Sequence, residues 1–208
     1  MVHDKMSMYE TDPERTGVQK TKHNTKGATT MISAIIYTSV SGSCERYARE
    51  MSRKLAIPCY EQKNCGLPKG MEVVFIGWLM NGQVSGLSKA MKDYDVKAVV
   101  QVGMSPVLSE DVCRSKNNLS ADVKVFSVQG RFDMDKLPIY FKPVMKVVNK
   151  GIAERLSGKA DLTAAEKATY QMATTGKGEP ATWDGIQPAI DWVQELRNVP
   201  DVIKWHEP

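Results

Sequence analysis

The 208-residue sequence predicts an α/β protein: a doubly wound sheet of five parallel strands in the order 2-1-3-4-5, with extra helices at the C-terminal end. Three features predict it. Short β-branched runs alternate with amphipathic stretches, as parallel βα units require. The first run is apolar almost without interruption, as in a strand buried on both faces. It passes straight into a helical stretch through a loop of Ser and Gly residues.

Each element follows from its pattern. Met31-Thr38, with Ile32, Ile35, Ile36 and Tyr37, reads as the first strand. Cys44, Tyr47, Ala48, Met51 and Leu55 then fall at i, i+3, i+4, i+7 and i+11, which predicts a helix that ends before Pro58. A short second strand is expected at Cys59-Gln62, a third at Val73-Trp78 and a fourth at Lys97-Gly103. A glycine-containing turn and a helix around Leu87-Tyr94 separate the third from the fourth. Val123-Val128 is the fifth strand. After it, Phe141, Val144, Met145, Val148, Ile152 and Leu156 form one helical stripe, which we expect to lie against the sheet. Thr163 and Glu166 open a further helix as a capping box. A last helix runs around Gln187-Arg197 with Pro188 in its first turn, and both are expected to cover an edge or face of the same sheet.

Residues 1-30 lack hydrophobic periodicity and read as a flexible extension ahead of a single domain spanning 31-208. Hydrophobic residues make up 42% and charged residues 25% of the chain, so one conventional core is expected. No apolar run approaches the roughly 20 residues of a membrane-spanning helix, and no signal-peptide pattern opens the chain. A cytoplasmic location is the expectation. His3, His23 and His206 all lie in terminal segments, which leaves the folded middle without a histidine base or metal ligand and points away from hydrolases. A net charge of +4 spread along the chain, without an arginine-rich block, argues against nucleic-acid binding.

In such a sheet, ligands bind outside the carboxyl ends of the strands, where the strand order reverses. The first strand's loop, Thr38-Ser39-Val40-Ser41-Gly42-Ser43-Cys44, combines hydroxyls, a glycine and a helix N-terminus, a set of donors suited to a phosphate. It is neither GxGxxG nor GxxxxGK followed by Ser or Thr, so the dinucleotide and nucleoside-triphosphate loops are excluded. A phosphoacceptor receiver domain would need acidic residues where Ser39 and Trp78 stand.

The run Ile35-Glu45, with Ala48 four places after Cys44, resembles the FMN-phosphate signature of flavodoxins, whose loop usually reads Ser-Thr-Thr-Gly-x-Thr. Ser39, Ser41 and Gly42 match in kind, whereas Val40 and Cys44 stand where that family prefers threonines. Leu137, Lys142, Met145 and Lys146 are similar to the segment after the last strand in flavodoxin-like, quinone-dependent protoporphyrinogen dehydrogenases, and Thr182-Trp183-Asp184 is similar to that branch's carboxyl end. The resemblance spans most of residues 31-200. It implies a flavodoxin-like fold and an FMN cofactor held by Thr38-Cys44, by Trp78, Leu79, Met80, Asn81 and Gly82 after the third strand, and by Gly103, Met104 and Ser105, with Pro106, after the fourth.

Implied with the cofactor are electron transfer to a redox partner protein or a quinone-type acceptor, or turnover of a porphyrinogen-like substrate in a cavity built partly from residues 129-140. A third reading is a flavodoxin-fold binding module that has lost its cofactor. Trp78 either stacks on the ring or packs under a helix, and Phe132 is expected to pack on the last helices. The loop after the fourth strand lacks an aromatic, which implies a Met-lined ring site. Cys44 is either a thiol with its pKa lowered by the helix dipole or a small core residue. Cys59 and Cys65 are candidates for a redox-sensitive pair. Lys142, Lys146 and Lys150, at i+4 spacing, either form a solvated helix face or touch an anionic membrane surface. A pI near 8.8 departs from the acidic surface usual in electron-carrying flavodoxins.

Overall fold

Alternation along the strands builds two cores, one on each face of a central sheet. The computed structural model describes residues 31-105 and 109-198. The extension 1-30, the three histidines and Pro106 lie outside the described residues.

The elements run β1 (Ala34–Tyr37), α1 (Ser43–Leu55), β2 (Cys59–Glu61), β3 (Glu72–Met80), β4 (Gln83–Val84), α2 (Leu87–Asp93), β5 (Asp95–Gly103), α3 (Glu110–Asn117), β6 (Lys124–Gln129), β7 (Phe132–Asp133), α4 (Lys142–Ser157), α5 (Ala164–Thr175), β8 (Lys177–Gly178) and α6 (Gln187–Asn198). Five strands pair in parallel in the order β2-β1-β3-β5-β6. With β4 set aside as a hairpin partner of β3, that is the expected 2-1-3-4-5 order.

Successive residues of a strand point to opposite faces. Ile35, Tyr37, Val74, Ile76, Val100 and Val128 therefore meet α1, through Tyr47, Ala48 and Met51, and α6, through Ala189, Ile190 and Val193. Ala34, Ile36, Val73, Phe75 and Val99 meet α2, through Leu87 and Ala90, and α3, through Cys113. Both faces of the sheet are thus covered by helices, and α6 closes one of them as expected.

Four features depart from the expectations. The first strand is shorter, beginning at Ala34 rather than Met31 and ending at Tyr37, after which the Thr38 N–H still donates to the Ile76 carbonyl at 3.0 Å while its hydroxyl donates to the Ser85 carbonyl at 2.7 Å. The third strand is longer. It runs to Met80 and turns back at Asn81 and Gly82, both with positive φ (50° and 80°), the conformation a two-residue hairpin needs and Gly supplies without strain. Helix α3 was not expected. Ser109 caps it by accepting from the Val112 N–H at 3.2 Å.

The largest departure is α4, which does not lie against the sheet. Helices α1, α6, α2 and α3 already occupy both faces, so α4 packs along α5 and buries Asn149 and Leu156 there. The predicted stripe Phe141, Val144, Met145, Val148 and Ile152 faces a cavity instead.

The capping box at Thr163 forms as expected. Thr163 Oγ1 accepts from Glu166 N at 3.2 Å, Glu166 Oε2 accepts from Thr163 N at 2.9 Å, and Lys159 Nζ reaches Glu166 Oε1 at 2.7 Å. Lys159 first, then the Thr163 N–H, holds the Glu166 carboxyl down to about 2. Because the folded-state value is depressed, this stabilisation is complete above the ordinary value of 4.5 and is lost as pH falls toward 2. Thermal unfolding of Glu166→Gln and wild type across that window should therefore converge at the acid end. A difference that stays constant with pH would contradict the assignment.

Candidate functional site

At the carboxyl ends of the parallel strands, beside the reversal between β1 and β3, the chain forms a cavity of about 900 Å³. This is within the range of roughly 300–1,000 Å³ typical of small-molecule sites. Twelve of the fifteen expected site residues line it: Val40, Ser41, Ser43 and Cys44; Trp78, Leu79, Met80, Asn81 and Gly82; Gly103, Met104 and Ser105. The other three do not. Thr38 is turned to Ser85, Ser39 Oγ accepts from the Gly42 N–H at 3.1 Å, and Gly42 faces a separate groove on the outer side of α1, beside Arg46 and Trp183.

The hydroxyls of the first loop are not waiting for an anion. Ser41 Oγ donates to the Arg131 carbonyl at 3.0 Å, and Ser43 Oγ accepts from the Arg131 N–H at 2.8 Å. The chain after β6 is thereby strapped onto the loop. Gly130 permits this approach, since a Cβ there would stand 2.5 Å from Val102 Cγ1 and 3.1 Å from Ser43 Oγ. An anion at this loop would therefore meet the main-chain N–H groups at the start of α1, donors that a helix leaves unpaired.

Cys44 is a core residue. It is buried with Tyr47 and Ala48, and burial drives its thiol pKa up, overriding the smaller opposite effect of a backbone hydrogen bond. The thiol is therefore not activated by the helix dipole. Cys59 and Cys65 are free thiols that pack against opposite faces of the sheet, which removes the proposed pair, and Cys65 Sγ instead accepts from Tyr94 Oη at 3.3 Å.

Trp78 packs under helices, and it also reaches the cavity. It is half-buried against the α1/α6 core, it lines the cavity, and its ring meets Phe141 edge-on at a centroid distance of 6.4 Å. Phe132 does not pack simply on the last helices. It pairs with Gly178 across the β7–β8 ladder and contributes to the cavity wall.

Sequence reasoning missed the residue that fastens the third loop. Gln129, the last residue of β6, shares the two N–H bonds of Nε2 among the Met104 carbonyl (3.0 Å), the Ala165 carbonyl (2.9 Å) and Thr169 Oγ1 (2.9 Å), and its Oε1 accepts from Ala181 N (3.0 Å). Its own carbonyl accepts from Tyr47 Oη at 2.6 Å, and burial raises the Tyr47 phenol to about 12. Tyr47 therefore stays a protonated donor at neutral pH. One polar residue thus ties α1, α5 and the loop after β5 together. A lone Gln at a strand end gives no sequence signal for that role.

The remaining wall is apolar: Leu137, Phe141, Val144, Met145, Val148 and Ile152, with Val112 from α3 opposite. Arg131 also lines the cavity, paired with Glu179 at 2.6 Å. Among the described residues, no group of His, Cys, Asp or Glu side chains is placed to hold a metal ion. No protein-family model matches the chain, and no curated protein matches it.

Proposed function

We propose that this protein is a flavodoxin-like FMN protein that transfers electrons through the bound flavin. The observation that carries the reading is the convergence of the three strand-end loops on one cavity at the reversal point of the sheet. The residues fit the group in kind. Trp78 offers an aromatic face, and Met104 with Leu79 and Met80 offers an apolar, polarisable wall where the loop after β5 lacks an aromatic. The start of α1 offers main-chain donors to a phosphate.

The flavin, when bound, supplies the electron chemistry, and the protein supplies position and environment. Among the described residues that line the cavity there is no histidine, and the one cysteine, Cys44, is buried with its thiol pKa raised. The protein's part is to exclude water, hold the ring between the second and third loops, and hold the phosphate at the first.

One observation favours a second reading, oxidation or reduction of an apolar substrate beside the ring. The cavity continues past the three loops along α4, where Leu137, Val144, Met145, Val148 and Ile152 form a wall that a flavin held at the loops leaves available.

Fluorescence titration with FMN and with riboflavin tests the proposal. Saturable quenching of FMN is expected, with riboflavin bound at least tenfold more weakly, because it lacks the anion that the helix N-terminus and main-chain donors stabilise. Absence of saturation with either flavin would overturn it. Equal affinity for both would remove the phosphate site from the account.

A further inference from the structure

Among the described residues, five of the eight exposed large hydrophobic side chains fall within one ten-residue stretch: Ile139, Tyr140, Val144, Val147 and Val148. Ile139 is 82% exposed and Val147 74%, and these two with Tyr140 protrude outside the cavity, whereas Val144 and Val148 stand at its edge. They occupy a short 3₁₀ turn, Ile139–Phe141, and the outward face of α4, on the rim of the cavity that Val144 and Val148 also line. Contiguous exposed apolar surface of this kind marks an interaction site.

The flank of the same helix is basic. Lys142, Lys146 and Lys150 recur every fourth residue, so they share one side of α4 next to the apolar strip. Across residues 130-159 the sequence holds seven Lys and Arg against three Asp and Glu, a surplus equal to the +4 of the whole chain. Arg131 pairs with Glu179 at 2.6 Å and Lys159 with Glu166 at 2.7 Å, so the charge on this flank rests on the three lysines of α4, of which Lys142 Nζ donates to the Asp135 carbonyl at 3.3 Å and Lys150 stands 3.9 Å from an exposed Glu154.

We propose that the 139-141 turn and the outer face of α4 form a docking surface for an anionic lipid bilayer. Ile139, Tyr140 and Val147 enter the headgroup region, and the three lysines meet anionic headgroups. The composition favours a bilayer over a protein partner. Protein interfaces are depleted in lysine, whereas lysines beside protruding aliphatic and tyrosine side chains suit the membrane interface, where long stems lie along apolar material with the ammonium in water. Seating this face on a bilayer brings the cavity rim to the lipid surface. The proposal holds whatever fills the cavity.

Vesicle co-sedimentation of the full chain tests it, with neutral phosphatidylcholine vesicles and vesicles in which roughly a third of the lipid is phosphatidylglycerol. Two variants are compared: Ile139→Ser with Val147→Ser, and Lys142→Gln with Lys146→Gln and Lys150→Gln. All these positions are at the surface, and circular dichroism verifies that each variant is folded. Wild type should bind the anionic vesicles at least tenfold more tightly than the neutral ones, with binding weakened by added salt, and each variant should lose at least tenfold. Wild type that ignores anionic vesicles, or binds both kinds equally, overturns the proposal. So does a wild-type dimer in light scattering that the Ile139→Ser, Val147→Ser variant converts to monomer, since the face would then belong to a second copy.

Discussion

Replacement of Gln129 by leucine should lower the free energy of unfolding by about 2 kcal/mol and weaken ligand binding at the cavity. The side-chain amide shares two N–H donors among three acceptors and accepts from Ala181 N, and leucine does neither. Met104 O and Ala165 O lose a donor, and Ala181 N–H loses its acceptor, in a partly buried setting where each unpaired group costs about 1–3 kcal/mol. Thr169 limits the loss, because its hydroxyl also reaches Met104 O at 3.0 Å and Ala165 O at 2.8 Å. The Met104 loop stays attached at one point instead of two, so the cavity wall loosens along with the fold. Denaturant unfolding reads the first effect through a lower midpoint at an unchanged slope. A loss below about 0.5 kcal/mol would show that Gln129 is an ordinary surface residue rather than a fastening point.

The second large effect is a gain. Val40 is partly exposed on the cavity wall and stands where resembling loops carry a threonine. Val40→Thr is close in shape and adds one hydroxyl, and a hydrogen bond to a charged phosphate is worth about 1.5–3 kcal/mol. FMN affinity should rise about tenfold, with riboflavin affinity unchanged. Val40→Asp should have the opposite sign. A carboxylate about 5 Å from a phosphate dianion costs about 2 kcal/mol at intermediate screening, so FMN binding should fall by at least tenfold, while the neutral Val40→Asn changes it little. The series leaves the Ser41 and Ser43 bonds to Arg131 intact, so it isolates charge and hydroxyl at the site from the strap that shapes it. If the aspartate and asparagine variants bind FMN equally well, the phosphate does not sit at this loop.

The legible part of the fold was the part written in period and punctuation. The five parallel strands and α1 follow from apolar runs and spacing, the end of α1 from Pro58, and α5 and α6 from the Thr163–Glu166 pair and from Pro188 in a first turn. Helix α3 escaped because its eight residues, EDVCRSKN, carry only Val112 and Cys113 as apolar side chains and show no periodicity to read. The two-residue strands β4, β7 and β8 are too short for any pattern and exist through tertiary pairing. For α4 the apolar stripe is real, and its partner is a cavity rather than the sheet. Amphipathicity reports that one face avoids water, and a cavity wall satisfies that as well as a sheet does.

The site divides in the same way. The switch-point rule located three loops from strand order alone, and the cavity lies there. What each side chain does within them depends on segments distant in sequence. Ser41 and Ser43 are claimed by Arg131, some ninety residues away, and Thr38 by Ser85. Cys44 points into the core because the stripe of α1 does. No local pattern encodes those assignments.

The measurement that bears most directly on the central claim is a two-dimensional amide correlation spectrum of the isotopically labelled protein, titrated with FMN. The account predicts saturating shifts in the amides of Val40–Cys44, Asn81–Gly82 and Gly103–Ser105 together, with Gly66 and Gly70, at the opposite end of the sheet, unmoved. A spectrum unchanged by FMN, or shifts confined to residues outside those three loops, would contradict it.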